Sequence, residues 1–247
     1  MVNFQGKHVG PPEESKELNA NQIIALGPIA VPALIVALGK PTQREQARTI
    51  LIKMGYRAVL PLIAVLSKTD PALLQETVAI LVAIGDGRAL PYLRHIAGSS
   101  HGDPEVKRIV TDFFSRRPIA KPAVPEFSPF FHEALRYRSD APSVQLAVQE
   151  ERFAAGAMLW HWDATTEVGP ALVGWIATQA DKPWHDLMTE RLCLDGLLRN
   201  PDDLACRVLL SQCWGSPVPA EPQAAIRMIT DTIDAARRTR PGILSPP

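Results

Sequence analysis

The stretch LGPIAVPALIVAL at residues 26–38 recurs in varied form as MGYRAVLPLIAVL at residues 54–66 and as IGDGRALPYLRHI at residues 84–96. Each copy carries a glycine at its second position, and these glycines, Gly27, Gly55 and Gly85, are 28 and 30 residues apart. A constant period of roughly 20 to 50 residues is the signature of repeat architectures. The sequence therefore predicts a chain built from successive copies of one unit.

Prolines mark two places in each unit. The first set is Pro32, Pro61 and Pro91, and the second set is Pro41, Pro71 and Pro104. Proline is tolerated in the first turn of a helix, where its missing N–H would have no partner, so each set predicts the start of a helix. Asp70 and Asp103 are the predicted N-caps of second helices. The repeated glycine then ends each second helix, because glycine accepts a left-handed backbone at low cost.

A two-helix unit of about 30 residues cannot bury its apolar face alone, and stacking on its neighbours gives one continuous core. The pattern G-x(4–5)-P, with D-P before the second helix, resembles the short HEAT-like repeats named after phycobilisome lyases. The resemblance covers about residues 12–117 and implies an all-α fold, an α-solenoid of HEAT-like helix pairs. Residues 12–27 align with residues 71–85, so the array begins with a second helix. That helix is either a cap or a continuation of a longer array.

The C-terminal half is predicted to be a second helical domain with less regular units. Residues 118–129 contain four prolines and are predicted to be a Pro-rich linker, because no helix continues through that spacing. Residues 130–240 form the predicted domain. Helical spacing of apolar residues occurs at 143–162, 167–180, 184–199, 202–214 and 221–238.

Part of this half resembles tetratricopeptide repeats. The resemblance is carried by WHDLMTERLCLDGLLRNPDDLACRVLLSQCWG at 184–215 and by AAIRMITDTIDAARR at 224–238. In that family a helix that ends near such an N-P-D-D sequence leads into the next unit. The chain departs from the family pattern at Leu210 and Cys213, where glycine and tyrosine are expected. The resemblance implies TPR-like helix pairs.

Charge and composition narrow the class of partner and the compartment. The formal net charge is zero, with 14 Lys/Arg and 10 Asp/Glu in residues 1–117 against 12 and 16 in residues 118–247. Proteins that bind nucleic acid or anionic membranes usually carry a basic excess, so neither partner is expected. Three cysteines and no visible signal peptide favour a cytoplasmic protein. Residues 23–39 carry no charge, but the repeat explains this run better than a membrane span does.

No residue pattern predicts catalysis, a cofactor or a metal. Cys193, Cys206 and Cys213 lack the short spacing of a zinc site and are expected to pack as small apolar side chains. His132–Glu133 is a single His-Glu pair, whereas the HEAT-like enzyme deoxyhypusine hydroxylase uses several such pairs to hold two iron ions. Phosphate-binding loops, a nucleophile elbow and a zinc-protease motif are absent from the sequence. An enzyme is therefore the less favoured class.

The predicted function is a non-catalytic scaffold that binds a protein partner of unknown identity. Extended solenoid surfaces serve such binding, and second helices usually line the concave side. The candidate contact residues there are Arg44, Arg48, Gln75, Glu76, Lys107 and Arg108. Trp160 and Trp162 are further candidates, since exposed aromatic residues anchor partners, although such residues also fill cores.

Two other functions stay open at the level of sequence. The lyase-type resemblance implies a modifying or chaperone activity on a partner protein, by analogy of fold alone. The half-unit at Pro12 also fits a structural domain of a larger repeat protein.

Overall fold

The fold is known from a computed structural model of the chain. It describes residues 19–66, 71–99, 102–117, 127–139, 141, 152–153, 156–163, 171–177, 184–215, 227 and 231. The structure is mostly helical, in agreement with the predicted class. Its helices are α1 (Ala20–Ala25), α2 (Val31–Leu38), α3 (Arg44–Met54), α4 (Val59–Val65), α5 (Pro71–Ile84), α6 (Leu90–Gly98), α7 (Pro104–Arg116), α8 (Pro129–Arg138), α9 (Trp184–Arg199) and α10 (Leu204–Cys213).

Proline and glycine set the helix boundaries close to where the sequence predicts them. Pro71 and Pro104 are the first residues of α5 and α7, and the side chain of Asp103 accepts hydrogen bonds from the first turn of α7. The repeated glycines follow α1, α3 and α5 with φ values of 65°, 58° and 68°. Only glycine takes this left-handed region without strain, so each one stops a helix and lets the chain reverse. The predicted cap at Asp70 lies outside the described residues.

The first seven helices form two layers. Helices α1, α3, α5 and α7 contact one another in chain order, and we call them the odd-helix layer. Helices α2, α4 and α6 form the even-helix layer, where α2 contacts α4 and each member also contacts the odd helix that follows it. Successive helix pairs thus lie side by side in chain order.

Helical periodicity explains how the layers pack. In α2 the buried residues are Val31, Leu34, Ile35 and Leu38, at most 6% exposed, and they lie on one face of the helix. Corresponding residues of the next even helices, Leu62 and Leu93, are also buried. Burying a large aliphatic side chain contributes about 1.5–3 kcal/mol. The repeated apolar residues therefore supply the core between the layers.

The segment after residue 150 corrects the all-α prediction. Three antiparallel strands form one sheet in the order β1 (Arg152–Phe153), β2 (Gly156–Asp163) and β3 (Ala171–Ala177). The helices predicted across 143–162 and 167–180 are wrong where these strands lie. Short apolar runs do not distinguish strand from helix by periodicity. The Thr, Gly and Pro residues between the two runs signal a turn, and this signal favours a hairpin.

The sheet covers the even-helix layer. Strand β2 contacts α4, and β3 contacts both α2 and α4. In the sheet Trp160 pairs with Gly174 of β3, so one of the two tryptophans of β2 stands opposite a residue with no side chain. The strands of the sheet thus pack directly on α2 and α4 of the even-helix layer.

Helices α8, α9 and α10 extend the same core. Helix α8 packs against α6 and α9, and α9 packs against α10. The predicted helices at 184–199 and 202–214 are confirmed by α9 and α10. Most of the predicted linker and of the predicted helix at 221–238 lies outside the described residues. Buried side chains from both halves, such as Leu93 and Leu192, belong to one continuous apolar cluster.

A search of the described residues for a membrane-crossing helix gives a negative result, since none is long and apolar enough. The uncharged run at 23–39 is divided among α1, a 3₁₀ turn at Gly27–Ala30 and α2.

Candidate functional site

The two helical layers differ in what lies against them. The even-helix layer contacts β2, β3 and α8, whereas α3, α5 and α7 make their main contacts with one another and with the remaining helices of the array. Among the described elements, none of the C-terminal half packs extensively on the odd-helix layer. We call the outward side of α3, α5 and α7 the odd-helix face. Some of the predicted contact residues, among them Arg48, Gln75 and Glu76, lie on this side.

On α3 the two candidate arginines have different roles. The Nε atom of Arg44 donates a 3.0 Å hydrogen bond to the backbone oxygen of Leu38, which ties the start of α3 to the end of α2. Nη1 of Arg48 lies 3.9 Å from Oε2 of Glu76, so this ion pair joins α3 to α5. Arg48 is therefore on the odd-helix face, while Arg44 serves the turn between two helices.

Small side chains occupy the middle of the face. Ala72, Gln75, Ala79 and Ala83 follow one another at helical spacing on the exposed or half-buried side of α5, opposite its buried residues. Glu76 stands beside this strip and is the one charged residue of the helix. The side chains at the centre of the odd-helix face are therefore short and nearly all uncharged. The longer side chains of α3 and α7 border this centre.

On α7 the charges pair within the helix. Arg108 bonds Glu105 at 2.6 Å and is exposed, and Arg116 bonds Asp112 at 2.9 Å. The hydrogen bonds from Arg108 hold the pKa of the Glu105 carboxyl below its usual value. Lys107 is half-buried and lies at the flank of the face, because Val106 and Val110 beside it point into the core. The α7 border is therefore polar and close to neutral.

Trp160 is buried and is not an exposed anchor for a partner. It is on a strand, not at the end of a helix as predicted, and only 8% of its surface is exposed. Its ring lines a cavity between α4, α6 and α9, so the core-packing alternative is the correct one for this residue. Trp162 is on the same strand, and its side chain lies outside the described residues.

The cavity beside Trp160 has a volume of about 40 Å³. Most of its wall is apolar, with two charged residues and one tyrosine at one end. Its lining residues are Leu60, Ile63, Ala64, Tyr92, Trp160, Met188, Arg191 and Asp195. These residues come from both halves of the chain.

Asp195 is the centre of the polar end of the cavity. The hydroxyl of Tyr92 donates a 2.6 Å hydrogen bond to its Oδ2 atom, and Nε of Arg191 donates a 3.2 Å bond to the same oxygen. Nη1 of Arg199 donates a 2.7 Å hydrogen bond to the backbone oxygen of Asp195. The guanidinium of the same arginine lies over the ring of Phe130. Burial, together with the Asp195 charge, raises the pKa of Tyr92 well above its usual value. The tyrosine therefore stays protonated and acts as a donor.

Reasoning from the sequence did not identify this cluster. A signal for it exists, since Arg191, Asp195 and Arg199 are spaced four residues apart on one helix. Nothing in the sequence indicates that Tyr92 is their partner, because 103 residues separate it from Asp195.

The candidate metal ligands and thiols are placed for packing. Cys193 and Cys206 are buried and Cys213 is half-buried, as expected of small apolar side chains. A hydrogen bond with Cys206, together with burial, raises the pKa of the Cys193 thiol. Glu133 is buried and bonds Arg136 at 2.6 Å, while His132 contacts the rings of Phe127 and Phe131. Within the described ranges no three potential ligands are close enough to hold a metal ion.

Comparison with known proteins gives no match to a protein-family model, to a curated protein or to a solved structure.

Proposed function

We propose that the chain is a non-catalytic scaffold, a solenoid of HEAT-like helix pairs that binds a protein partner on its odd-helix face. The observation that carries the proposal is the asymmetry of the two layers. The C-terminal half packs on the even-helix layer, and the odd-helix layer keeps its outward side free of extensive contact with the described elements. A helical array that presents one uncovered row of helices offers the extended surface that repeat proteins use for partners.

The composition of the face supports the same function. Its middle strip on α5 is made of small side chains with Gln75, and its borders carry the polar residues of α3 and α7. Protein interfaces commonly have a centre that is poor in charge and a polar rim. Small residues in the centre let the backbone or a large side chain of a partner approach closely.

The charges of the rim are mostly paired within the face. Arg48 pairs with Glu76, and Arg108 pairs with Glu105. The Arg108–Glu105 pair is exposed, and exposed ion pairs contribute little to stability. A partner therefore displaces little stabilising energy when it recruits one member of a pair, and the binding energy comes mainly from the apolar centre.

Site-specific crosslinking tests the proposal. A photo-reactive amino acid is placed at Ala79, a half-buried residue in the middle of the face, and at Ala33, an exposed alanine of α2 in the other layer. The full-length variants are expressed in the native host and irradiated, and crosslinked proteins are identified by mass spectrometry. We expect a crosslinked protein at Ala79 that is absent at Ala33. Equal yields at the two positions, or none at Ala79, would argue against a binding role for the odd-helix face.

A substitution series gives the thermodynamic counterpart. Ala79→Arg places a long charged side chain in the centre of the face, and Ala33→Arg is its control. Binding of the crosslinked protein is expected to fall roughly tenfold or more for Ala79→Arg, since a long charged side chain at the centre of the contact prevents close approach, and changes at central hot spots cost about 2 kcal/mol or more. The melting temperature of both variants is expected to stay within a few degrees of the parent value, since Ala33 is exposed and Ala79 is half-buried on the outward side of α5. An equal loss of stability and binding would contradict the proposal.

A further inference from the structure

The small cavity beside Trp160 is large enough for a small chemical group such as a carboxylate. A water molecule needs roughly 10–15 Å³ of such space, so about 40 Å³ holds about three waters or a group of three to four heavy atoms. Ile63 and Ala64 of α4, Trp160 of β2 and Met188 of α9 supply an apolar wall. An apolar wall with a few polar groups at one end is the common composition of a site for a small molecule.

Among the polar residues of the cavity wall, Arg191 has hydrogen-bond donors that can bind a ligand. Its Nε atom is used on Asp195 at 3.2 Å, and its terminal Nη1 and Nη2 groups donate to no other described residue. A guanidinium presents its N–H groups as a fork that matches the two oxygens of a carboxylate. The side chain of Arg191 is 34% exposed, so the cavity reaches solvent at this residue. A ligand can therefore enter beside the guanidinium.

The local charge favours an anion. Oδ2 of Asp195 already accepts hydrogen bonds from Tyr92 and Arg191, and Nη1 of Arg199 lies 4.0 Å from its Oδ1 atom. Arg191 and Asp195 line the cavity, and Arg199 does not line it but contacts Asp195 from the same helix, so this group of three residues carries a net charge of +1. One incoming carboxylate neutralises that charge without displacing a bond that the cluster already makes.

We propose that this cavity binds the carboxylate of a small aliphatic acid or of the C-terminal residue of a peptide. Arg191 donates two parallel hydrogen bonds to the carboxylate oxygens. Trp160 and Met188 pack against the carbon that bears the carboxylate. This site lies on the even-helix side and does not depend on the odd-helix face, so either proposal can fail alone.

Calorimetric titration of the full chain tests the chemistry and its source. The probes are propionate, the tripeptide Ala-Ala-Val with a free C-terminus, and the matched neutral compounds propionamide and Ala-Ala-Val amide. Saturable binding of propionate with no gain for the tripeptide identifies a free acid as the ligand, and tighter binding of the tripeptide identifies a peptide terminus. Both amides are expected to bind at least roughly tenfold more weakly, because they lack the charge that the arginine fork pairs with.

Two variants link the binding to the cavity. Arg191→Lys keeps the charge and removes the fork, and it is expected to weaken carboxylate binding roughly tenfold. Ala64→Val leaves every charge in place and fills the cavity with two methyl groups, and it is expected to abolish binding. Arg207→Lys, an arginine of α10 that does not line the cavity, is the control and is expected to bind as the parent does.

The outcomes that overturn the proposal are specific. The proposal is overturned if neither propionate nor the tripeptide gives a saturable signal. It is also overturned if the acids and the amides bind with equal affinity. Unchanged affinity in both Arg191→Lys and Ala64→Val would also do so. Circular dichroism tests whether each variant is folded. If one variant is unfolded, the binding result of the other decides between the outcomes.

Discussion

The hydroxyl of Tyr92 in α6 donates a 2.6 Å hydrogen bond to the carboxylate of Asp195 in α9, across 103 residues of sequence. Both residues are buried. This contact joins the even-helix layer to the C-terminal helices at a polar point inside an apolar core. A buried carboxylate that loses a donor bears the cost of its incomplete solvation.

Removal of the Tyr92 hydroxyl tests the strength of this contact. Tyr92→Phe keeps the ring against Phe130, with which it makes an edge-to-face contact at 5.0 Å, and deletes only the donor. We expect the free energy of unfolding to fall by about 1–3 kcal/mol, because a buried acceptor is left with fewer partners. Urea denaturation measures this change. Tyr56→Phe, at a ring that is 38% exposed, is the control and is expected to change stability by less than about 0.5 kcal/mol.

Gly55 tests the conformational part of the repeat pattern. Its φ of 58° lies in the region that favours glycine, and no atom stands within 4 Å of the position that a Cβ would take. Gly55→Ala is therefore expected to destabilise the chain by about 1–3 kcal/mol through backbone strain alone. Gly98→Ala, in α6, meets no neighbouring atom and has ordinary helical backbone, so it is expected to be neutral or stabilising by up to about 1 kcal/mol. Equal thermal stability of the two variants would contradict this account.

Gly196 tests close packing. A Cβ at this position in α9 would stand 2.9 Å from Cβ of Phe130 and 3.0 Å from Sγ of Cys206. Gly196→Ala is expected to force α8, α9 and α10 apart and to lower the free energy of unfolding by about 1–3 kcal/mol. Here the cause is contact with neighbours, so a smaller residue at the contact should relieve it. The double variant Gly196→Ala with Cys206→Ala is expected to lose less stability than the sum of the single changes.

Asp86 gives the chain a predictable response to acid. Burial raises the pKa of this carboxyl, but the hydrogen bonds and charge of Arg88 outweigh burial, and the net pKa is below the usual 3.8. A lowered pKa stabilises the folded state above pH 3.8, and this contribution is lost as the pH falls through the folded-state pKa. Asp86→Asn can keep the cap that Asp86 makes on Arg88 while it removes the charge. The stability advantage of the parent over this variant is expected to be largest at about pH 7 and to shrink below pH 3.8.

Glu133 provides the opposite sign as a control. Burial raises the pKa of its carboxyl above the usual 4.5, against the influence of Arg136. As the pH rises above 4.5 the unfolded chain ionises first, so the contribution of Glu133 to stability falls. In Glu133→Gln this fall is expected to be absent. Denaturation curves of both variants across this pH range would show opposite trends relative to the parent, and parallel trends would contradict the assignments.

The agreement between sequence and structure is greatest where one residue sets the local backbone. The left-handed Gly27, Gly55 and Gly85 and the N-terminal Pro71 and Pro104 are where the pattern predicts them. Of the predicted contact residues, Arg48, Glu76 and Arg108 lie on the odd-helix face and Arg44 is bonded into a turn, and their role in binding stays a prediction. The helix predicted around Trp160 is wrong, because a short apolar run adopts the structure that its neighbours in space allow.

The sequence by itself determined the period of the array, most of the bounds of its helices and the predominance of helix, because proline, glycine and apolar spacing act on the backbone within a few residues. The start of α3 is an exception, since it lies at Arg44 and not at Pro41. The tertiary structure alone decided that the segment around Trp160 is a strand, that the even-helix layer is the covered one, and that Tyr92 meets Asp195. These features depend on contacts between residues that are distant in the chain, and their energy exists only once the whole core has formed.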